Sequence, residues 1–253
     1  MTHPNLNAAA WRVLDRVLER SLAYLNMLGD RPVAPPPEAL RGLEAFDIPL
    51  QDEPRSPEAI IEELDRFGTP ATVAIGGPRY FGFVNGGSLP AVLAANWLAT
   101  AWEQHGAFQV SSPGSTMLEK IALRWTLDVL GLPPDSGGGF VTGTTMAHVT
   151  ALIAARQALL ETVGWNADAN GLFGAPTVTV VVGDEVHTTL LKALGMIGFG
   201  RSRIVRVPVD DQGRMRADAL PRLSGPTIVC LQAGHVNTGA FDPFVEIIDH
   251  VRR

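Results

Sequence analysis

The sequence predicts an α/β fold, a mostly parallel sheet covered by helices and preceded by an N-terminal helical arm. Three observations predict it. From residue 139 onward, strand-like runs at about 139–142, 177–182, 203–207 and 227–231 alternate with helix-like runs at about 144–162, 187–198, 216–223 and 242–252. Alternation of this kind calls for crossover helices and parallel pairing. The stretch Gly137 to His148 passes from a short apolar strand through Gly143 and two hydroxyl residues straight into a helix, the local form of a phosphate seat. Finally, 46% apolar residues in a chain of 253 can bury a full core as one large α/β domain or one and a half.

The elements follow in order. From about Ala8 to Leu28, residues Trp11, Leu14, Val17, Leu18 and Leu25 recur at helical spacing among Arg and Glu, giving an amphipathic helix whose apolar face needs a partner. Arg31-Pro-Val-Ala-Pro-Pro-Pro37 stiffens the chain into an extended linker, and Ser56-Pro57 opens a second helix through Phe67 by the N-cap and proline-at-N1 rule. Residues 1–88 read as arm and linker, and residues 89–253 as the main domain. Helical patterns at about 90–104 and 115–130 follow, the second closed by Gly131 as a C′ residue. Just before them, the aromatic, glycine-rich segment Arg79 to Ser88 offers Phe81, Phe83 and Asn85 as substrate-pocket candidates. Core aromatics beside a turn would look the same.

At the seat, the first-turn amides of a helix carry partial positive charge, Gly143 lets an anion approach the backbone, and Thr144 and Thr145 add hydroxyl donors. Thr144 as a plain N-cap is the simpler alternative. The spacing is not Gly-x-Gly-x-x-Gly and no Gly-Lys-Ser/Thr follows, so the expected ligand is a single phosphate rather than a dinucleotide or a P-loop nucleotide.

Two further sites fall at carboxyl ends of strands, where open α/β sheets bind ligands. Asp184-Glu-Val-His187 follows the run 177–182, and Ala233-Gly-His-Val-Asn-Thr-Gly-Ala-Phe-Asp-Pro243 follows 227–231. Convergence of three such sites points to one pocket. His187 opening a helix could instead be a surface or cap residue.

Composition excludes several classes. A formal net charge of −6, with no run of Lys or Arg, argues against nucleic acid or anionic membrane as partner. No apolar run approaches the ~20 residues that span a bilayer, and Met1 to Asn5 lacks the regions of a signal peptide, so a cytoplasmic protein with a small-molecule substrate is expected. The single cysteine, Cys230, lies in a strand-like run and reads as an inert thiol; no disulfide can form within the chain and no metal site is expected.

Three blocks, in order and covering most of the chain, resemble the group II pyridoxal-phosphate-dependent decarboxylases, the family of aromatic amino acid, glutamate and histidine decarboxylases. Ser111-Ser-Pro-Gly-Ser-Thr-Met-Leu-Glu119 is similar to that family's Ser-Pro-x-x-Thr-x-Leu-Glu block. Gly139 to Leu152 is similar to its phosphate loop and helix. Val186 to Gly198, with Val207 to Met215 behind it, is similar to its histidine block. The resemblance implies the aspartate aminotransferase-like large domain (fold type I), pyridoxal 5′-phosphate as cofactor and an amino acid as substrate. It also implies Gly143, Thr144 and Thr145 at the cofactor phosphate, His187 stacked on the ring as the catalytic residue, and a homodimer in which the arms are exchanged.

Two departures stand out. Where the family has Gly followed by two hydroxyl residues, this chain has Gly234-His-Val-Asn-Thr-Gly239; His235, Asn237 or Thr238 could take over that contact, and His235 could equally be a plain strand-end residue. A pyridoxal enzyme also needs a Schiff-base lysine and an acidic partner for the pyridine nitrogen. The chain has only Lys120 and Lys192. Lys120 sits mid-helix beside Glu119, and Lys192 is five residues, about 140° of helix, past His187. The expectation is an amino acid decarboxylase (carboxy-lyase) in N-terminal part only, incomplete at its C-terminus and inactive alone. The alternatives are another fold type I enzyme, an aminotransferase or carbon–sulfur lyase, or a non-catalytic truncated homologue.

Overall fold

A computed structural model describes residues 10–106 and 108–252. The expected helix start at residues 8 and 9 and the N-terminal segment read for a signal peptide lie outside the described residues. The chain divides into two compact units, Met1–Gln104 and His105–Arg253.

In the first unit, α1 (Val13–Met27) continues a short 3-10 turn, α2 spans Pro37–Gly42, α3 spans Pro57–Glu63 and α4 spans Pro90–Trp102. The cap read from Ser56-Pro57 is present: the Ser56 hydroxyl accepts the Ala59 amide at 3.2 Å, with Pro57 opening the helix. The helix is shorter than expected, because a π-helical turn takes over at Leu64–Gly68. Polar ties hold α1 to this turn. Arg20 pairs with Asp65, whose other oxygen accepts the Thr69 hydroxyl at 2.7 Å; the Thr69 bond and then Arg20 hold the Asp65 carboxyl below its ordinary pKa against its burial.

In the second unit, α5 (Pro113–Leu130) ends as expected at Gly131, whose φ of 64° closes the helix in the left-handed region. α6 (Gly143–Thr162), a short α7 (Ala167–Asn170), β1 (Thr179–Gly183), α8 (Thr188–Met196), β2 (Val205–Val207), β3 (Thr227–Cys230) and α9 (Phe244–Val251) follow. The strands form one parallel sheet ordered β2-β1-β3, with Val181 opposite both Val205 and Val229. The central strand is buried on both faces, which is why Thr-Val-Val-Val-Gly reads as a continuous apolar run. Val180 and Val182 point to one side, where Val149 and Leu152 of α6 and Leu190, Ala193 and Leu194 of α8 cover them. Val181 points to the other, against Val207, Met215, Leu220 and Ile247 of α9.

Two expected elements are corrected. No strand forms at 139–142: Phe140 is 59% exposed, and no described strand lies alongside to supply a ladder. The helix expected at 216–223 is only a 3-10 turn, Ala217–Ala219, because Pro221 forces Leu220 into extended backbone and ends it.

Candidate functional site

The site is built where the second unit's strands end. α6 begins without a side-chain cap: Thr142 holds the N-cap position but accepts nothing, so the plain-cap reading of Thr144 is set aside. The Gly143 amide is spent on the Val141 carbonyl at 3.1 Å. The amides that follow lie in the first turn, where no intrahelical acceptor exists. Gly143 has φ 75°, and a Cβ there would meet nothing within 4 Å. The Thr144 and Thr145 hydroxyls make no hydrogen bond among the described residues; Thr144 is exposed and Thr145 half-buried. Open backbone, unspent amides and two free hydroxyls suit a dianionic phosphate.

His148 lies one turn further along α6, four residues after Thr144 and three after Thr145, hence on their face of the helix. Across the α6–α8 interface its Nδ1 is 3.3 Å from the Thr189 hydroxyl, and that hydroxyl is 2.7 Å from His187 Nδ1. His187 is the N-cap of α8: its Nδ1 accepts the Thr189 backbone amide at 3.3 Å. Capping and candidate catalysis therefore coincide in this residue, whose Nε2 has no hydrogen-bond partner among the described residues. Burial holds the His148 imidazole below its ordinary pKa, His187 acting the same way and the Thr189 backbone opposing. Thus the structure joins His187 to the helix that carries Thr144 and Thr145 through two residues that the sequence reading did not single out. A histidine two positions before a threonine at a helix start was the local signal for Thr189; nothing local marked His148.

The loop after β3 is arranged differently. His235 is 5% exposed, and both ring nitrogens are engaged: Nδ1 accepts the Asn237 amide at 3.3 Å, leaving Nε2–H to donate to Glu185 at 3.1 Å. Its ring lies under Gly213, where φ is 76° and an added Cβ would stand 2.9 Å from the imidazole. The Thr238 hydroxyl donates to the Gln212 carbonyl at 2.8 Å and accepts the Ala240 amide at 3.2 Å. These bonds tie the loops after β1, β2 and β3 together. No hydrogen bond among the described residues joins His235, Asn237 or Thr238 to Thr144, Thr145 or His187.

Lys120 and Lys192 are exposed on α5 and α8. Burial pushes the Cys230 thiol up to about 11, which removes the thiolate needed of a nucleophile near neutral pH. Phe81 and Phe83, each 93% exposed, belong to the first unit, as does Asn85, whose amide donates to the Tyr80 hydroxyl at 3.3 Å; Phe83 and Val84 hold positive φ values of 55°, unusual for side chains of their size. Among the described residues no group of three or more His, Cys, Asp or Glu is placed to hold a metal ion, and no helix is long and apolar enough to cross a membrane.

Residues 37–253 match the family described as the pyridoxal-dependent decarboxylase conserved domain. Tryptophan decarboxylase 1 of Oryza sativa subsp. japonica is 30% identical over 234 residues, covering 81% of this chain and 45% of the relative. The aromatic-L-amino-acid decarboxylase of Bacillus atrophaeus is 28% identical over 236 residues, covering 89% of this chain and 46% of the relative. The chain therefore spans about half the length of the curated relatives it matches. Among solved structures, mouse CSAD in apo form superposes with a TM-score of 0.85 at 24% identity, over 97% of this chain and 53% of that one. Oryza sativa TDC with PLP and tryptamine superposes with a TM-score of 0.83 at 24% identity, over the whole of this chain and 54% of that one. The fold is the one these solved structures share.

Proposed function

The chain belongs to the pyridoxal-dependent decarboxylase family, and from that premise we propose that it supplies the cofactor-phosphate seat and ring histidine of a pyridoxal-phosphate-dependent amino acid decarboxylase. The observation that carries this is the start of α6, where Gly143 at φ 75° leaves open space and no side chain caps the helix.

In this reading, Gly143 would leave room for the phosphate, Thr144 and Thr145 would hold it through their backbone amides and hydroxyls, and His187 would lie against the pyridine ring. When bound there, pyridoxal phosphate supplies the electron sink for the pair left by loss of carbon dioxide. His187 restrains the ring and holds a proton at Nε2, the nitrogen its cap bond leaves free. Asn237 contributes from the loop after β3, with Thr238 fixing that loop. Phe81, Phe83 and Asn85 belong to the side-chain pocket for an amino acid substrate; the decarboxylase names of the relatives support that substrate class. The functional division of the chain at residues 88 and 89 and a cytoplasmic setting complete the proposal.

The test is cofactor binding by the protein itself. Equilibrium dialysis is expected to show reversible binding of pyridoxal phosphate that inorganic phosphate displaces, and Thr145→Ala should weaken it about 10- to 100-fold, the worth of one hydrogen bond to a charged group. Because neither lysine adjoins the seat's helix start in sequence or caps it, borohydride should fix no adduct on Lys120 or Lys192. Binding indifferent to phosphate and to Thr145→Ala would remove the proposal.

A homodimer is part of the same reading. α1 packs on α3, yet Trp11, Leu14, Leu18, Leu22 and Leu25 remain exposed along one stripe, and stripes of this kind mark interfaces. Light scattering is expected to give twice the chain mass, falling to one on Leu14→Glu with Leu18→Glu; a wild-type monomer at micromolar concentration would count against it.

A further inference from the structure

We propose that His148 is a positioning residue which, through the Thr189 hydroxyl, fixes the tautomer of His187; its catalytic meaning rests on the function proposed above, but its geometry does not.

His187 Nδ1 accepts the Thr189 backbone amide, so in the neutral ring that nitrogen carries no proton and Nε2 does. The Thr189 hydroxyl, 2.7 Å from the same Nδ1, must then be the donor in that contact. A hydroxyl has one proton and it is now spent, so only lone pairs face His148 Nδ1 at 3.3 Å. His148 must therefore donate from Nδ1, which is the less common tautomer of a free neutral imidazole. The direction of the whole chain is set: His148 to Thr189 to His187.

Burial supports the arrangement. Burial favours the neutral His148 ring, which has one proton to place, and the chain places it on Nδ1. If His187 gains a proton on Nδ1, its bond from the Thr189 amide is lost, the hydroxyl must turn round to accept, and His148 must then become an acceptor. Reversing the chain thus requires two rings and one hydroxyl to change together. The neutral ring therefore keeps its proton on Nε2, and Nε2 can release it only as Nδ1 receives the Thr189 proton, Thr189 receives that of His148 Nδ1, and His148 takes one from water on Nε2.

The six histidines of the chain make nitrogen-15 spectroscopy of the imidazoles practicable in the protein without cofactor, under mildly alkaline conditions where the rings are neutral. The expected result is complementary tautomers, the proton on Nδ1 in His148 and on Nε2 in His187. Thr189→Val, which keeps the shape and removes the hydroxyl, should return His148 to the common Nε2–H form, while Thr189→Ser should preserve the wild-type spectrum. His187→Ala frees the Thr189 proton to point at His148 and should have the same effect as Thr189→Val, providing a second variant should the valine protein fold poorly. His148 in the Nε2–H form in the wild type, or a His148 signal that ignores both substitutions, overturns the proposal. Failure of pyridoxal phosphate to bind would leave these spectra unchanged and would instead count against the proposed function.

Discussion

If the proposed function holds, replacing His187 with alanine is expected to cut decarboxylation turnover about 10²- to 10⁴-fold, the usual worth of a positioned acid or base, while leaving much of the cofactor affinity in place. The separation follows from where the two groups sit. The proposed phosphate donors belong to the start of α6, and none of them is hydrogen-bonded to His187. The imidazole is fixed instead at the start of α8, by the amide and hydroxyl of Thr189. In the proposed function its loss removes an interaction with the reacting ring, so kcat and kcat/KM should fall together. Losing the cap also costs the protein about 1 kcal/mol, too little to mimic the effect by unfolding. His187→Asn separates the two roles, since an asparagine caps a helix well but cannot serve as a proton carrier. Its stability should be close to wild type and its turnover close to that of the alanine variant. Near wild-type decarboxylation by His187→Ala at saturating cofactor would show that the histidine is a cap and nothing more.

The same residue shows what the sequence could and could not reveal. His187 was legible because it follows an apolar run and opens a helix, both local facts. So were the Ser56-Pro57 cap, the Gly131 terminus and the three strands, each written in consecutive residues. His148 was not, because its importance arises only where α6 crosses α8, and α6 itself is fixed by Val149 and Leu152 packing on β1. Nor could the sequence say whether His235 serves the cofactor or the fold. That depended on Glu185 and Gly213, brought in from the ends of two other strands. The misread segments failed for physical reasons of the same kind. An extended run at 139–142 needs a neighbour to become a strand, and the apolar pattern at 216–223 was outweighed by one proline.

Asp242 is the plainest case of a residue that only the folded chain explains, and Asp242→Ala is expected to destabilise the protein by about 3–5 kcal/mol. It is 6% exposed. One carboxylate oxygen accepts the Met215 amide at 2.7 Å and the other the Gln232 amide at 2.7 Å, so one side chain clamps the segments that follow β2 and β3. Charge-assisted bonds of this length are worth about 1.5–3 kcal/mol each, and alanine would leave both amides without an acceptor, that of the fully buried Met215 away from water. Asp242→Asn should cost about half as much, since its amide group can satisfy one of the two donors and must turn its own NH₂ toward the other. Urea unfolding followed by circular dichroism measures both, and for a chain of this size the alanine variant should melt roughly 10 °C lower. Loss of the clamp would also loosen the loop holding His235, Asn237 and Thr238, so pyridoxal phosphate should be held less well by the alanine variant even below its melting point. A stability change under about 1 kcal/mol, the value of one ordinary exposed hydrogen bond, would mean that the two segments are held by the packing of Met215 and Ile247 rather than by the carboxylate.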